Sequence, residues 1–348
     1  MFNVFSRSQV LASGIDDAAL QATIGCCIER LAAGIYVVIR VCGRGPHRRF
    51  QYFLDDDPLV ETGELTRWER DRFRHLGWLT STTRPRETDV ISHRSAAMVH
   101  GLPLLSTRLP VIEVSNPQAK GTTAGLRRRL RAIPEPDRAQ WSIREALSVT
   151  TPARTAADLM RDCGWQSGII AAEHFVGSPE SGPASRRAAF PLPSEVRTVR
   201  KAQLAAVIDR MPDGRGSRRM AAIVDYSDGL SESPAESLAV LGLCHLGIRD
   251  LEQQARLFGP DGRFVARVDF LIERLGLVLE VDGDAKYLAD HSSRWVDRRV
   301  FDREKDRENA IRFLGFRVVR LRWKDVVEPA NFSAAMRRAG VLPSGIPR

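Results

Sequence analysis

The sequence predicts an α/β protein of several domains, and three features of the chain predict it. Its 348 residues exceed one ordinary domain and suffice for two or three hydrophobic cores. The N-terminal segment alternates helix caps, glycine stops and short extended runs. In the last third of the chain, strands with period-two alternation stand between apolar helices.

Residues 1–42 have the pattern of a winged helix. Serines precede a first helix that Gly14 ends, and Asp16 or Asp17 caps a second. Two short extended stretches around a small-residue turn follow as a β-wing. Such a domain places its second helix in a DNA major groove, with Arg30 of the wing on phosphate. Winged helices also serve as protein-interaction modules, and the second helix, DDAALQATIG, carries no Arg or Lys.

The middle of the chain has three segments. Residues 43–90 mix charge runs with one amphipathic helix and are predicted to be an exposed connection without chemistry. Residues 91–176 predict an α/β middle domain, with the helix SHRSAAMVHGL, a strand, a basic stretch and the helix cap TTPART. His93 and His100 lack a third ligand or a nearby carboxylate, so hydrogen-bonded structural roles are expected. Residues 177–232 are predicted to be a linker and a helical segment.

The charge balance favours a polyanionic partner. The chain carries 52 Lys and Arg against 43 Asp and Glu, a net charge of +9. Such an excess attracts polyanions without specifying which, and nucleic acid is the natural candidate. Arginine-rich proteins also carry charge that no partner uses. The residues predicted to contact DNA are Arg30, Arg127, Arg128, Arg129, Arg131, Arg215, Arg218 and Arg219.

Neither membrane insertion nor export is expected. No window approaches the roughly 18 to 20 uninterrupted apolar residues that a membrane span requires. The N-terminus MFNVF lacks the basic, apolar and small-residue segments of a signal peptide. The sequence therefore predicts a cytoplasmic protein.

The five cysteines are an odd number without a C-x-x-C pair or a His-rich neighbour that would indicate zinc. They are expected to be buried, reduced thiols. A redox-active Cys26–Cys27 pair is the alternative.

Residues 233–348 predict an α-β-β-β-α-β core. The strand predictions rest on alternation, as in VARVDF and FRVVRL. This is the element order of a restriction-endonuclease-like core, the PD-(D/E)XK class of metal-dependent nucleases. The predicted elements are a helix at 234–246, strands at 253–258, 264–272 and 276–281, a helix at 294–314, a strand at 316–323 and a helix at 324–339.

Two acids are expected to meet on neighbouring strands of this core. Asp269 lies inside an apolar strand and Glu280 lies near the end of the next. Because an unpaired buried carboxylate costs roughly several kcal/mol, the pair implies a cation. Oxygen ligands select Mg²⁺ or Mn²⁺ over zinc, and such an ion activates water and polarises a phosphate. The alternative for Asp269 is a salt bridge with Arg267 or Arg274.

The lysine that usually follows the Glu of this class is replaced by Asp282. Either Asp282 is a further metal ligand and Lys286 or Arg307 supplies the positive charge, or the site has lost catalytic competence. Asp282 would also fit a plain turn. Glu236 lies in SPAE, a capping box that helix initiation alone explains, and a direct metal role is the other interpretation.

Several segments of the chain resemble known protein families. SESPAES, Gln254, FVARVDF, LEVDGDAKY and EKDRENAIRFLGFRVVRLRWKDV resemble a bacterial domain of unknown function related to very-short-patch-repair endonucleases. The winged helix, SHRSAAMVHGLPL and TTPARTAADL resemble the antitoxin of abortive-infection type IV toxin–antitoxin systems, in actinobacterial proteins that join both parts. The resemblance implies a cytoplasmic protein that acts on DNA. It assigns metal to Asp269 and Glu280, the variant acid to Asp282, and the active-site surround to Glu236, Gln254, Lys286, Glu304 and Arg307.

Two functions compete. The first is a Mg²⁺-dependent DNA endonuclease whose catalytic residues are Glu236, Asp269, Glu280, Asp282, Lys286 and Arg307. The second is a DNA-binding repressor or antitoxin, with a toxin protein as partner and the nuclease fold kept as an inactive scaffold. Three acids on apolar strands favour the enzyme. A double-strand break usually requires two active sites, which a homodimer would supply.

Overall fold

The computed structural model describes residues 3–54, 67–81, 85–123, 125–140, 148–178, 190–282 and 298–341. These ranges form three β-sheets with helices between and around them, so the chain is a mixed α/β protein as predicted. No helix in these ranges combines the length and the apolar character needed to cross a membrane.

The N-terminal unit is a small three-stranded antiparallel sheet with two short helices. Ser6 caps the first helix together with Gln9, and Asp16 caps the second by accepting from the Ala19 N–H. The sheet order is β1-β3-β2. The elements are β1 (Val4–Ser6), α1 (Arg7–Ala12), α2 (Asp17–Thr23), β2 (Ile28–Ala32) and β3 (Ile35–Val38).

The predicted exposed connection at 43–90 is wrong in its described parts. A 3-10 segment, Gly45–Phe53, packs on the N-terminal unit, where Phe50 is 1% exposed. Helix α3 (Arg67–Ser81) lies against the three strands of this unit and buries Phe73, Leu76 and Leu79. Charged residues dominate the composition of this segment, but its few large apolar residues lie on one face and are buried.

The middle domain is built on a six-stranded sheet of order β6-β7-β5-β4-β9-β8, followed by two helices. His93 hydrogen bonds to Ser92 and Asp162, each at 2.9 Å, and His100 donates to the Thr150 carbonyl at 2.6 Å. The predicted hydrogen-bonded roles of both histidines are confirmed. The elements are β4 (Val90–Ile91), α4 (His93–His100), β5 (Ile112–Asn116), β6 (Gly121–Thr123), β7 (Leu126–Leu130), β8 (Arg138–Gln140), β9 (Ser148–Thr150), α5 (Pro152–Asp162) and α6 (Gly164–Gly177).

Two further helices, α7 (Ser194–Asp209) and α8 (Ser217–Tyr226), pack against α5 and α6. The loop after α8 is fixed by Glu173 of α6, which is 1% exposed. Its carboxylate accepts the four consecutive backbone N–H groups of residues 228–231 at 2.7–3.2 Å. This loop leads directly into α9 (Pro234–His245), so Glu173 determines where that helix begins.

Helix α6 and this loop touch at two glycines, and a methyl group there should be strongly destabilising. A Cβ at Gly177 would lie 1.9 Å from the Gly229 carbonyl oxygen. Because the obstructing atoms are backbone, we expect Gly177→Ala to lower the free energy of unfolding by about 3 kcal/mol. Urea unfolding followed by circular dichroism measures this loss. Ser167→Ala on the same helix is the control, and equal stabilities of the two variants would contradict the close packing.

The C-terminal domain has one four-stranded sheet of order β10-β11-β12-β13. The first three strands are antiparallel, and β13 runs parallel to β12 after a crossover through α10. Helices α9 and α12 belong to the apolar cluster on one side of the sheet, and α10 contributes to a second cluster. The elements, in the predicted order, are β10 (Glu252–Phe258), β11 (Phe264–Ile272), β12 (Leu277–Asp282), α10 (Arg298–Phe313), β13 (Arg317–Arg322), α11 (Trp323–Val327) and α12 (Pro329–Arg338).

Candidate active site

Strands β11 and β12 separate at the point where their two acids lie. The last backbone pair between them is Phe270–Leu279. Beyond this pair, the N–H of Val281 donates to Oδ2 of Asp269 at 2.7 Å. The Asp269 carboxylate thus replaces a backbone acceptor, which fixes its orientation next to Glu280. Asp269 and Glu280 lie on neighbouring strands, each directly next to a residue of the last pair, Phe270–Leu279.

Glu236 approaches the same point from the first turn of α9. Its Oε1 accepts from the Ser233 hydroxyl at 2.7 Å, and its Oε2 accepts from the Glu232 N–H at 2.9 Å and from Gln254 Nε2 at 3.0 Å. Ser233 also accepts from the Glu236 N–H, so the helix cap predicted from the sequence is present. Glu236 therefore belongs both to the N-terminal cap of α9 and to the candidate site.

Gln254 lies on β10 in a backbone conformation that few residues other than glycine adopt. Its φ is 54°, and the flanking residues pair with Phe270 and Val268, the neighbours of Asp269 on β11. Its Oε1 is buried and has no hydrogen-bond partner among the described residues. Backbone strain of this kind costs about 1–3 kcal/mol and clusters at functional sites. An acceptor is thus held unsatisfied on a side chain that hydrogen bonds to the Glu236 carboxylate.

Burial disfavours the charged forms of the two acids that face each other here. It raises the pKa of Glu236 to about 7, and the negative charges of Asp269 and Glu232 add to the effect. Burial also raises the pKa of Asp269, against the lowering effects of the Val281 N–H and Arg307. A cation between the two carboxylates would relieve both costs.

Arg307 reaches the site from α10. Its Nη2 donates to Oε1 of Glu280 at 2.7 Å and to the Arg267 carbonyl at 2.8 Å. Of the two residues predicted to replace the missing lysine, the structure places Arg307 at the acids. Lys286 lies outside the described residues, and so does the side chain of Glu304.

Asp282 is exposed at the end of β12, next to Arg322 of β13 in the strand register. Among the described residues, one set of three or more Cys, His, Asp or Glu side chains places its ligand atoms within 4.8 Å of one another, and it lies in the N-terminal unit. By this distance, Asp269 forms a ready-made cage of three acids neither with Glu280 and Asp282 nor with Glu280 and Glu236. Gln254 hydrogen bonds to Glu236, and the charge of Asp269 contributes to the raised pKa of Glu236.

The alternative that Asp269 belongs to a salt bridge at a strand edge is wrong for the partners considered. Arg267 pairs with Glu232 at 2.8 Å, and Arg274 pairs with Asp250 at 2.6 Å. Glu236 and Gln254 offer carboxylate and amide oxygens on the side of Asp269, and Glu236 is 6% exposed. This set fits a hard divalent cation such as Mg²⁺ or Mn²⁺.

The raised pKa of Glu236 predicts how stability depends on pH without metal. The pKa lies above its usual 4.5 in the folded chain, at about 7, so folding favours the protonated form. The contribution of the Glu236 shift to the free energy of unfolding is fully present below pH 4.5, and it is lost as pH rises through 7. At about 1.4 kcal/mol per pH unit, the wild type should lose about 3 kcal/mol more than Glu236→Gln across this interval. Urea unfolding of both proteins in EDTA at pH 5 and about pH 8 tests this, and parallel pH profiles would contradict it.

Most arginines predicted to contact DNA are paired inside the protein. Arg128 donates to Asp89 at 2.8 Å, and Arg129 donates to Glu113 at 3.1 Å. Both acids are buried, Asp89 directly before β4 and Glu113 in β5. They are distant from the arginines in the sequence, so the arginine run alone does not reveal them. Arg131 pairs with Asp158 and Asp162, and Arg219 donates to the carbonyls of Met160 and Arg161. Arg127 is 42% exposed beside Glu113, whereas Arg30, Arg215 and Arg218 are exposed.

Sequence reasoning missed the set of metal-type ligands in the N-terminal unit. It consists of Cys26, Cys27, Cys42 and His47. The available signal was the short spacing from Cys42 to His47, which the search for a C-x-x-C pair did not include. The chain matches no family model, no curated protein and no solved structure.

Proposed function

We propose that the protein is a divalent-metal-dependent DNA endonuclease with its active site between α9, β11 and β12. The observation that carries this proposal is the convergence of Glu236, Asp269 and Gln254 where the two strands separate, with Arg307 on Glu280. The strand order and the crossover between β12 and β13 are consistent with the PD-(D/E)XK core that the sequence predicts.

Each residue has a distinct task in this proposal. Asp269, Glu280 and Glu236, with Gln254 Oε1, would hold Mg²⁺ or Mn²⁺, which when bound polarises the scissile phosphate and lowers the pKa of an attacking water. Ser233 and the Val281 N–H orient two of these carboxylates. Arg307 supplies the positive charge for which this class normally uses a lysine.

DNA targeting is supported by the N-terminal unit and by surface charge. Two helices and a three-stranded sheet are consistent with a winged helix, and Arg30 on β2 is exposed as a wing residue should be. Arg215 and Arg218 lie exposed at the start of α8. We infer phosphate contacts for these three arginines, with Arg127 as a weaker contributor because Glu113 is 3.7 Å away.

The salt dependence of DNA affinity tests these contacts. Each lost phosphate contact should reduce the slope of log K against log salt by about 0.9, so Arg215→Ala combined with Arg218→Ala should reduce it by about 1.8. Fluorescence anisotropy at several salt concentrations gives the slope. The control is Arg249→Ala with Arg274→Ala, because both of these exposed arginines pair with aspartates. Equal slopes in the two double variants would contradict the assignment.

The second candidate function is a DNA-binding repressor or antitoxin, with a toxin protein as partner and the nuclease fold as scaffold. One specific contact favours it, since Arg307 forms an ion pair with Glu280 at 2.7 Å. A scaffold would use this ion pair for stability alone.

Incubation with supercoiled plasmid separates the two functions. The endonuclease proposal requires nicked or linear DNA in Mg²⁺ or Mn²⁺ and none in EDTA. Nicking requires one active site, whereas direct linearisation requires two and would favour a homodimer. Retardation of plasmid that stays supercoiled with either metal would establish the scaffold function and overturn the proposal.

A further inference from the structure

Four metal-type side chains from three segments meet at one end of the N-terminal unit. Cys26 and Cys27 lie in the turn between α2 and β2, Cys42 follows β3, and His47 lies in the 3-10 segment. Their sulfur and imidazole nitrogen atoms all lie within 4.8 Å of one another. We propose that Cys26, Cys27, Cys42 and His47 form a structural zinc site.

Two sulfur–nitrogen distances in this cluster match those around a tetrahedral zinc ion. Zinc–sulfur bonds of about 2.3 Å and zinc–nitrogen bonds of about 2.0–2.1 Å place a sulfur and a nitrogen about 3.5–3.6 Å apart across a tetrahedral edge. Nδ1 of His47 lies 3.6 Å from Sγ of Cys27 and 3.5 Å from Sγ of Cys42. A ring nitrogen has either one proton or one lone pair, so a single strong hydrogen bond explains one of these contacts. A shared cation explains both.

The local backbone allows two adjacent cysteines to serve one site. Successive side chains of a strand point to opposite faces, but here the N–H groups of Cys26 and Cys27 both donate to the Thr23 carbonyl, at 3.1 and 3.2 Å. Gly25 has a φ of 82°, which lets the chain turn at this point. The turn therefore presents both thiols on the same side.

The surroundings are compatible with a closed zinc site. None of the three cysteines forms a disulfide, and Cys27 is 1% exposed. Three thiolates and one imidazole on Zn²⁺ leave one negative charge, and Arg40 donates to Sγ of Cys26 at 3.1 Å. Soft sulfur ligands select zinc over Mg²⁺, so this ion would be distinct from the one at Asp269.

The site would hold the 3-10 segment on the N-terminal unit. Phe5 of β1 stacks on Phe53 with ring centroids 4.5 Å apart, and Phe50 packs beside them. An isolated 3-10 segment has little stability of its own, and a domain of this size has a small core. A cation that binds ligands from the turn, from the loop after β3 and from the 3-10 segment stabilises their folded arrangement.

Metal analysis of the full chain, purified without a chelator or a histidine tag, tests the proposal. After incubation with equimolar Zn²⁺ and desalting, mass spectrometry should find about one zinc per chain in the wild type. Cys42→Ser and His47→Ala should retain less than about one tenth of that amount. Cys163→Ser, from a cysteine outside the cluster, should retain all of it.

Cobalt substitution in the wild type provides a second readout that does not depend on the folding of variants. Tetrahedral thiolate coordination of Co²⁺ gives intense visible bands, and zinc should abolish them. Wild-type protein without zinc, zinc content unchanged in both ligand variants, or a disulfide among the three cysteines in freshly purified protein would overturn the proposal.

Discussion

Asp269→Asn should lower the rate of plasmid cleavage by at least about 10³-fold. The substitution keeps the volume of the side chain and an oxygen that can still accept from the Val281 N–H, which lies 2.7 Å from the carboxylate. It removes the half-buried negative charge on β11 that acts on Glu236. The fold should therefore persist while the metal and the activity are lost.

Asp261→Asn is the matched control for this variant. Asp261 is 59% exposed in the turn between β10 and β11, on the same hairpin as Asp269. Quantitative gels of plasmid cleavage in Mn²⁺ should show wild-type rates for Asp261→Asn. Cleavage by Asp269→Asn at the wild-type rate would place the chemistry elsewhere in the chain.

Arg307→Ala should have two opposite effects. The guanidinium competes with a metal ion for Oε1 of Glu280, 2.7 Å away, so its removal should tighten Mn²⁺ binding. The same change removes the positive charge beside the scissile phosphate, so cleavage should slow by roughly 100-fold. A residue that only stabilises the fold would not produce this combination.

Two variants complete the test of Arg307. Arg312→Ala on the same helix removes an arginine that is 58% exposed and pairs with Glu308, and it should leave both quantities unchanged. Lys286→Ala should cleave at nearly the wild-type rate. A collapse of cleavage in Lys286→Ala with wild-type behaviour of Arg307→Ala would transfer the role to Lys286.

The C-terminal domain was predictable because its signals are local. Alternation in VARVDF and the cap in SPAE depend on neighbouring residues, and the structure has the corresponding strand and helix. The placement of Asp269 and Glu280 on neighbouring strands followed from the short connection between β11 and β12. What alternation could not predict is that Asp269 would take the Val281 N–H and that the strands would separate there.

The errors concern contacts between distant parts of the chain. The arginine run in β7 was interpreted as a DNA surface because its partners are distant in the sequence. Asp89 lies directly before β4, and Glu113 lies in β5. Residues 43–54 were predicted to be exposed because the local sequence does not show the partner of Phe50. That partner is Phe5, at the beginning of the chain. The three cysteines of the cluster were not recognised as one site, because the turn after α2 and the loop after β3 are separate in the sequence and come together only in the folded protein.

Calorimetric titration of Mn²⁺ into zinc-loaded protein tests the central claim most directly. The wild type should bind Mn²⁺ at one site, and Glu280→Gln should weaken that binding by at least about 100-fold, because it removes a ligand charge and little volume. The fold of the variant should be preserved, since glutamine can still accept from Arg307 at the position of Oε1. Unchanged Mn²⁺ affinity in Glu280→Gln would contradict a metal-dependent active site between β11 and β12.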